Sequence, residues 1–271
     1  MRTPWTLVAC GCGTANYWAV GDLARRGPSS APVRAAFCDR AEIREHNAVT
    51  CPLYTKPGRR KCERLAELAG RWSRGKWAVE AIHGSVERLP WDDILSPPDA
   101  APGHRTIVLV GLDRWPSRLA VAEGLRCASA RTGAEAAMVQ IGLDRGQAAV
   151  GVFGCRLSDP CPACGLATLP EPEPCVVLAA GGKLLRGNLH SEARAAGRLT
   201  RRIVCGLLGR SRALSWINTK SHLIAARPGG RRYRRLTRPC RAMAGCMGPH
   251  APAATIRWDD VLEPLTAGCT A

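Results

Sequence analysis

No apolar run in this chain approaches the roughly 20 residues that a bilayer-spanning helix needs, which excludes a membrane-spanning function from the expectations. A leader is not read either. The opening "MRTPWTLVACGCG" carries a charge but no long apolar core ahead of a cleavage site, so a soluble, cytosolic protein is expected. Acidic residues are scarce: 22 Asp and Glu stand against 39 Lys and Arg, a formal charge of +17. Such a surface favours acidic partners, namely nucleotides, nucleic acid or an acidic protein. The abundance of Ala, Arg, Gly and Pro leaves a purely compositional origin open. Cysteine, by contrast, is plentiful. In a reducing compartment 14 cysteines argue for metal binding, catalysis or reduced core thiols rather than a disulfide framework.

The 271 residues are enough for one large α/β domain or two small ones. Strand-like and helix-like runs alternate through the first half. Strands are expected at Trp5–Ala9, Val33–Cys38, Ala78–Ile82, Thr106–Leu112, Ala136–Ile141 and Ala149–Phe153. Helices are expected at Tyr17–Arg26, with Trp18, Val20 and Leu23 inward, at Arg60–Trp72, and after Pro116, since proline is tolerated in a first turn. Alternation of this kind means βαβ units and a mostly parallel sheet. In the second half, "LSDPCPACGLATLPEPEPC" is a Pro-rich crossing segment. A long helix is expected over Leu189–Leu208 and strands at Leu214–Ile217 and His222–Ala226. "RPGGRRYRRL" reads as a hairpin turn with basic arms.

Gly11 and Gly13 follow a strand and precede a helix, the context a phosphate-binding turn requires. Small residues let the backbone approach phosphate, and the helix start supplies unpaired N–H donors. Asp39 ends the next strand, where a carboxylate can accept from a ribose hydroxyl. These features alone fit any Rossmann-like dinucleotide site.

Three later stretches narrow the reading. "CDRAEIREHNAVTCPLYTKPGRRK" sets Asn47 and Lys61 after Asp39. "VGLDRWPSR" ends the most apolar strand at Asp113, with Arg118 following. "CPAC" (Cys161 and Cys164) is half of a zinc site, and "CRAMAGC" (Cys240 and Cys246) supplies another pair. In this order the elements resemble the ubiquitin-activating-enzyme-like adenylyltransferases, the ThiF/MoeB family, over roughly residues 5 to 250. The resemblance implies an α/β, Rossmann-like fold: a mostly parallel sheet with flanking helices, a zinc-knuckle crossing segment and a small C-terminal β region. It also implies a nucleotide-binding half over 1–154 and, over 155–271, the knuckle, crossover loop, long helix and β region of one continuous domain.

By the same resemblance the turn binds ATP rather than NAD, with Gly11, Gly13, Asn16, Asp39, Asn47 and Arg118 around the nucleotide. Asp39 would hold the ribose, Asn47 and Lys61 would reach the phosphates, and Asp113 would position Mg²⁺. Cys161, Cys164, Cys240 and Cys246 would hold Zn²⁺, with Cys155 and His250 in reserve. Cys175 would be a nucleophile, with Lys183 and Arg186 as nearby positive charges. A carboxylate attacking an α-phosphate brings two anions together, so cations and donors are needed there.

Departures accompany the likeness. Asn16 stands at the third glycine of the turn, where it is expected to cap the helix start. Ala41 replaces a second acid, and Thr50 stands where the family carries an arginine, with Arg59 and Arg60 as the expected substitutes. The expected function is ATP-dependent adenylation of a carboxylate, foremost the C-terminal glycine of a small ubiquitin-like or sulfur-carrier protein, followed by transfer to Cys175. A tRNA-borne carboxylate, a peptide, or a non-catalytic binding subunit are the alternatives, and an NAD oxidoreductase is a distant one. A homodimer or hetero-oligomer is expected, with no membrane partner.

Overall fold

The strand Trp5–Cys10 (β1) is buried along its whole length, as a six-residue apolar run covered on both faces must be. This computed structural model describes residues 4–98, 101–144, 147–155, 189–209, 222–226 and 234–236. After β1 come α1 (Thr14–Arg26), β2 (Arg34–Asp39), α2 (Asn47–Thr50), α3 (Lys61–Trp72), β3 (Val79–His83), a 3₁₀ turn (Val86–Arg88) and α4 (Trp91–Leu95). Then follow β4 (Arg105–Val110), α5 (Trp115–Thr132), β5 (Ala136–Asp144), β6 (Gln147–Gly154), α6 (Leu189–Gly209), β7 (His222–Ala226) and β8 (Arg234–Leu236). The expected strand at Leu214–Ile217 lies outside the described residues.

The strands form a single sheet in the order β3-β2-β1-β4-β5-β6-β7-β8. From β3 to β5 every pairing is parallel; from β5 to β8 every pairing is antiparallel. The sheet is therefore mixed: the expected parallel order runs from β3 to β5, and the strands beyond β5 are antiparallel. The reason is the connection. Asp144 and Gln147 are ladder partners, so β5 and β6 are joined by a hairpin. A parallel return would need a crossover of about a dozen residues. β7 pairs antiparallel with β8, the "RRL" that ends the basic "RPGGRRYRRL" stretch.

Alternation along β1 and β4 sorts the core into two layers. Trp5, Leu7, Ala9, Ile107 and Leu109 face α1, α3 and α6 on one side. Val8, Cys10, Val108 and Val110 face α4 and α5 on the other. Inside α1, Tyr17, Val20 and Leu23 are buried as the helical period dictates. Trp18, also expected inward, packs against the same core but is only partly buried, with the Arg194 guanidinium 4.6 Å from its ring centroid. α5 begins at Trp115 with Pro116 in its first turn and ends at Gly133, whose left-handed backbone accommodates the stop.

Candidate active site

The sheet reverses its winding between β1 and β4. Chains leave the two strands in opposite directions, and a crevice opens beyond their C-terminal ends. A cleft of about 620 Å³ lies there. Its walls are the β1–α1 turn, the loop after β2, the start of α3, the segment after β3 and the start of α5. Gly11, Gly13, Asp39, Asn47, Lys61 and Asp113, six positions scattered across a hundred residues of sequence, all line it.

The turn is shaped for backbone approach. Gly11 has φ +83°, and an added Cβ would fall 2.8 Å from Leu112, so only glycine fits without strain. At Gly13 an added Cβ would meet nothing within 4 Å: open cleft lies where a ligand would sit. Gly13 is also the N-cap of α1, and no side chain caps that helix. Its first-turn N–H groups have no intrahelical partner, which makes the helix start a donor-rich, positive end suited to phosphate. The turn is held from below by Asp39. One carboxylate oxygen accepts the Cys12 N–H at 2.6 Å and the other accepts the Ala41 N–H at 2.7 Å.

Asn16 is not the helix cap. It is the third residue of α1, fully buried, and its Nδ2 donates to the carbonyls of Gly11 at 2.7 Å and Cys10 at 3.0 Å. It does not line the cleft. The space a third glycine would have provided comes instead from Gly111 at the end of β4, where an added Cβ would lie 2.9 Å from Asn16 Cγ. Arg118 is likewise outside the cleft lining. Its guanidinium is buried and donates to the Leu112 carbonyl (2.7 Å), Gln140 Oε1 (3.1 Å) and the Ile141 carbonyl (2.9 Å), so it ties α5 to β5 beneath the cleft.

Position 50 is a threonine whose hydroxyl accepts from Thr14 Oγ1 at 2.8 Å, bracing α2 against the start of α1. Arg59 and Arg60 do not make up for a cation there. They point away into ion pairs with Glu67 (2.8 Å) and Glu63 (3.1 Å), and neither lines the cleft. The cations that do line it, besides Lys61, are Arg40, Arg44 and Arg114. Sequence reasoning missed all three. The available signal was their placement: Arg40 and Arg114 each follow a strand-end acid directly.

Electrostatics divides the cleft. Glu87, after β3, accepts from the Ser117 and Ser85 hydroxyls, which hold its carboxyl down to about 2. Burial and the nearby Lys61 and Arg44 charges keep the His46 imidazole below its ordinary range. Below the turn, burial pushes the Cys10 and Cys12 thiols well up, and Cys38 up to about 12. These three are protonated core thiols rather than nucleophiles.

The residues present fit a nucleotide, on the open cradle at Gly13 and the uncapped start of α1. Asp113 makes no ion pair among the described residues. Cys161, Cys164, Cys175, Lys183, Arg186, Cys240, Cys246 and His250 lie outside the described residues. Cys155 is buried in the apolar layer with Val108 and Leu125. Among the described residues no group of three or more His, Cys, Asp or Glu could hold a metal ion, and no helix is long and apolar enough to cross a membrane.

Solved structures share this architecture. E. coli MccB bound to ATP superposes with a TM-score of 0.55 at 13% identity, covering 89% of this chain and 64% of that one. The microcin C7 biosynthetic enzyme MccB in complex with N-formylated MccA gives 0.55 at 13%, covering 89% and 66%. PaaA gives 0.51 at 14%, covering 86% and 63%. At this identity the likeness establishes the fold. The chain spans about two thirds of the length of each. No protein-family model matches the sequence, and no curated protein does.

Proposed function

We propose that this chain binds ATP in the cleft and adenylates a carboxylate. One observation carries the reading: the cleft brings the Gly11–Gly13 turn, Asp39, Asn47, Lys61 and Asp113 to one crevice at the strand ends. A carboxylate oxygen attacks the α-phosphorus, the bond to the β-phosphate oxygen breaks, and acyl-adenylate and pyrophosphate result. The α1 N–H groups and Lys61 offset the phosphate charge, and Asp39 accepts from the ribose while keeping the turn in shape. Asp113 would hold Mg²⁺, which when bound supplies charge neutralisation at the phosphates.

The carboxylate belongs to the C-terminus of a polypeptide in this reading. A small ubiquitin-like or sulfur-carrier protein ending in glycine is one form, with Cys175 taking the activated group. A peptide is the second, and the MccB complex with N-formylated MccA, in the same fold, favours it. Cys161, Cys164, Cys240 and Cys246 remain the proposed Zn²⁺ ligands.

ATP–pyrophosphate exchange with a cognate polypeptide tests the proposal. Asp113→Ala should depress exchange at least 100-fold while changing ATP affinity only a few-fold. Its carboxylate matters most once charge develops at the α-phosphate, and only interactions stronger in the transition state speed the chemistry. Exchange by Asp113→Ala at the wild-type rate removes Asp113 from the reaction. ATP binding by wild type with no exchange makes the chain a non-catalytic binding subunit.

A further inference from the structure

One wall of the cleft gathers positive charge that no ion pair among the described residues offsets. Lys61 opens α3, and Arg44 and His46 sit on the loop after β2. His46 feels both Lys61 and Arg44, so the three groups share one neighbourhood. Neither Lys61 nor Arg44 makes an ion pair among the described residues. Glu42 lines the same cleft and makes none either. The loop is built to hold Arg44 in place: its N–H donates to Asn47 Oδ1 at 2.8 Å, while the Asn47 N–H returns to the Arg44 carbonyl at 2.8 Å. The uncapped start of α1 lines the same cleft at Gly13 and Thr14, with Thr50 hydrogen-bonded to Thr14. The other two cleft arginines face different surroundings. Arg40 acts on the Glu87 carboxylate, and Arg114 caps α5 beside Asp113.

We infer that Arg44 is the phosphate-binding arginine of this cleft, working with Lys61 and the α1 terminus. It supplies from the loop after β2 a charge that position 50, a threonine, does not. Asn47 is then a positioning residue: its carbonyl oxygen is spent on the Arg44 backbone. The ligand class is a polyphosphate, here the triphosphate of a nucleotide. The inference rests on the nucleotide reading of the cleft, but it concerns binding and not chemistry.

Calorimetry with ATP, adenosine and inorganic tripolyphosphate tests it on the full chain. Arg44→Ala should weaken ATP and tripolyphosphate at least tenfold, the scale of one lost charge-assisted hydrogen bond, and leave adenosine unchanged. Arg44→Lys should recover part of the loss. Arg59→Ala should match wild type for every ligand. Arg44 is exposed on a loop, and an unchanged melting temperature of the ligand-free variant shows that its fold is intact. Equal tripolyphosphate affinity in Arg44→Ala and wild type overturns the assignment, as does a loss that extends to adenosine. So does a wild type that binds neither phosphate ligand. Failure of the adenylation proposal looks different: phosphate binding that responds to Arg44 with no pyrophosphate exchange.

Discussion

Asp39 shows how one side chain can serve a site twice. Its two carboxylate oxygens are each used on a backbone N–H, at Cys12 and at Ala41, and so fasten the Gly11–Gly13 turn to the loop after β2. Hydrogen bonds to an ionised group contribute about 1.5–3 kcal/mol each, and among the described residues neither N–H has another partner. Asp39→Ala should therefore lower the melting temperature by several degrees, since about 1 kcal/mol shifts a domain of this size by some 2–4 °C. It should also weaken ATP beyond the loss of a ribose contact, because the turn is no longer held. A scanning-calorimetry trace superposing on wild type would show the two bonds to be idle. Asp39→Asn offers the finer test: one oxygen remains an acceptor, so the loss should fall between the two.

At the scale of elements, the approach of α1 to the sheet depends on a pair. Asn16 occupies the position of a third glycine, and Gly111, just after β4, vacates the space it needs. Gly111→Ala should destabilise by about 1–3 kcal/mol, the ordinary cost of overpacking. Asn16→Gly should also destabilise, by removing the Nδ2 bonds to Cys10 and Gly11. Together the two changes should cost less than their sum, because the clash at Gly111 needs the Asn16 side chain. Urea midpoints of the four proteins measure this coupling, and strict additivity would dismiss it.

This pair also marks where the sequence was silent. β1, β2 and β4 were legible as short unbroken apolar runs, and α1, α3 and α6 because their apolar residues recur with the helical period. Gly11, Gly13, Asp39 and Asp113 were legible because each sits at or just past a strand end or at a helix start, where backbone geometry aims a residue at the crevice, whereas Lys61 entered only through the family resemblance. The compensation of Asn16 by Gly111 spans 95 positions and leaves no local pattern. The commitment of Arg59 and Arg60 to Glu67 and Glu63, which leaves Arg44 facing the cleft, is equally a matter of rotamers on neighbouring turns. α2 and α4, at four and five residues, are too short to show a period.

For the whole molecule, burial of acidic protons sets an alkaline limit. Cys10, Cys12 and Tyr54 are enclosed with their proton-release raised by burial, and Cys38 is held near 12. In the unfolded chain the thiols would ionise near 9.0. A group whose folded value lies above its unfolded one stabilises fully below the unfolded value and loses that contribution as pH rises toward the folded one. The urea midpoint should thus fall as pH passes about 9 and keep falling toward 10.5. Native protein at pH 8 should release only its accessible thiols to an alkylating reagent, Cys127 among them and these buried three not. A midpoint flat from pH 7 to 10.5 would contradict the placement of these groups.

The pairing of β1 with β4 has a consequence for synthesis. Trp5 lies opposite Arg105, so the central strand of the sheet is made one hundred residues before the partner that covers its second edge. At roughly 5–20 residues per second, about 5–20 s pass while β1, apolar along almost its entire length, waits at the ribosome with β2 alone beside it. During that interval an unsatisfied strand edge is open to any neighbouring nascent chain. The protein's vulnerable moment thus falls before its cleft exists, and the host's chaperones, not the nucleotide, are what can protect it then.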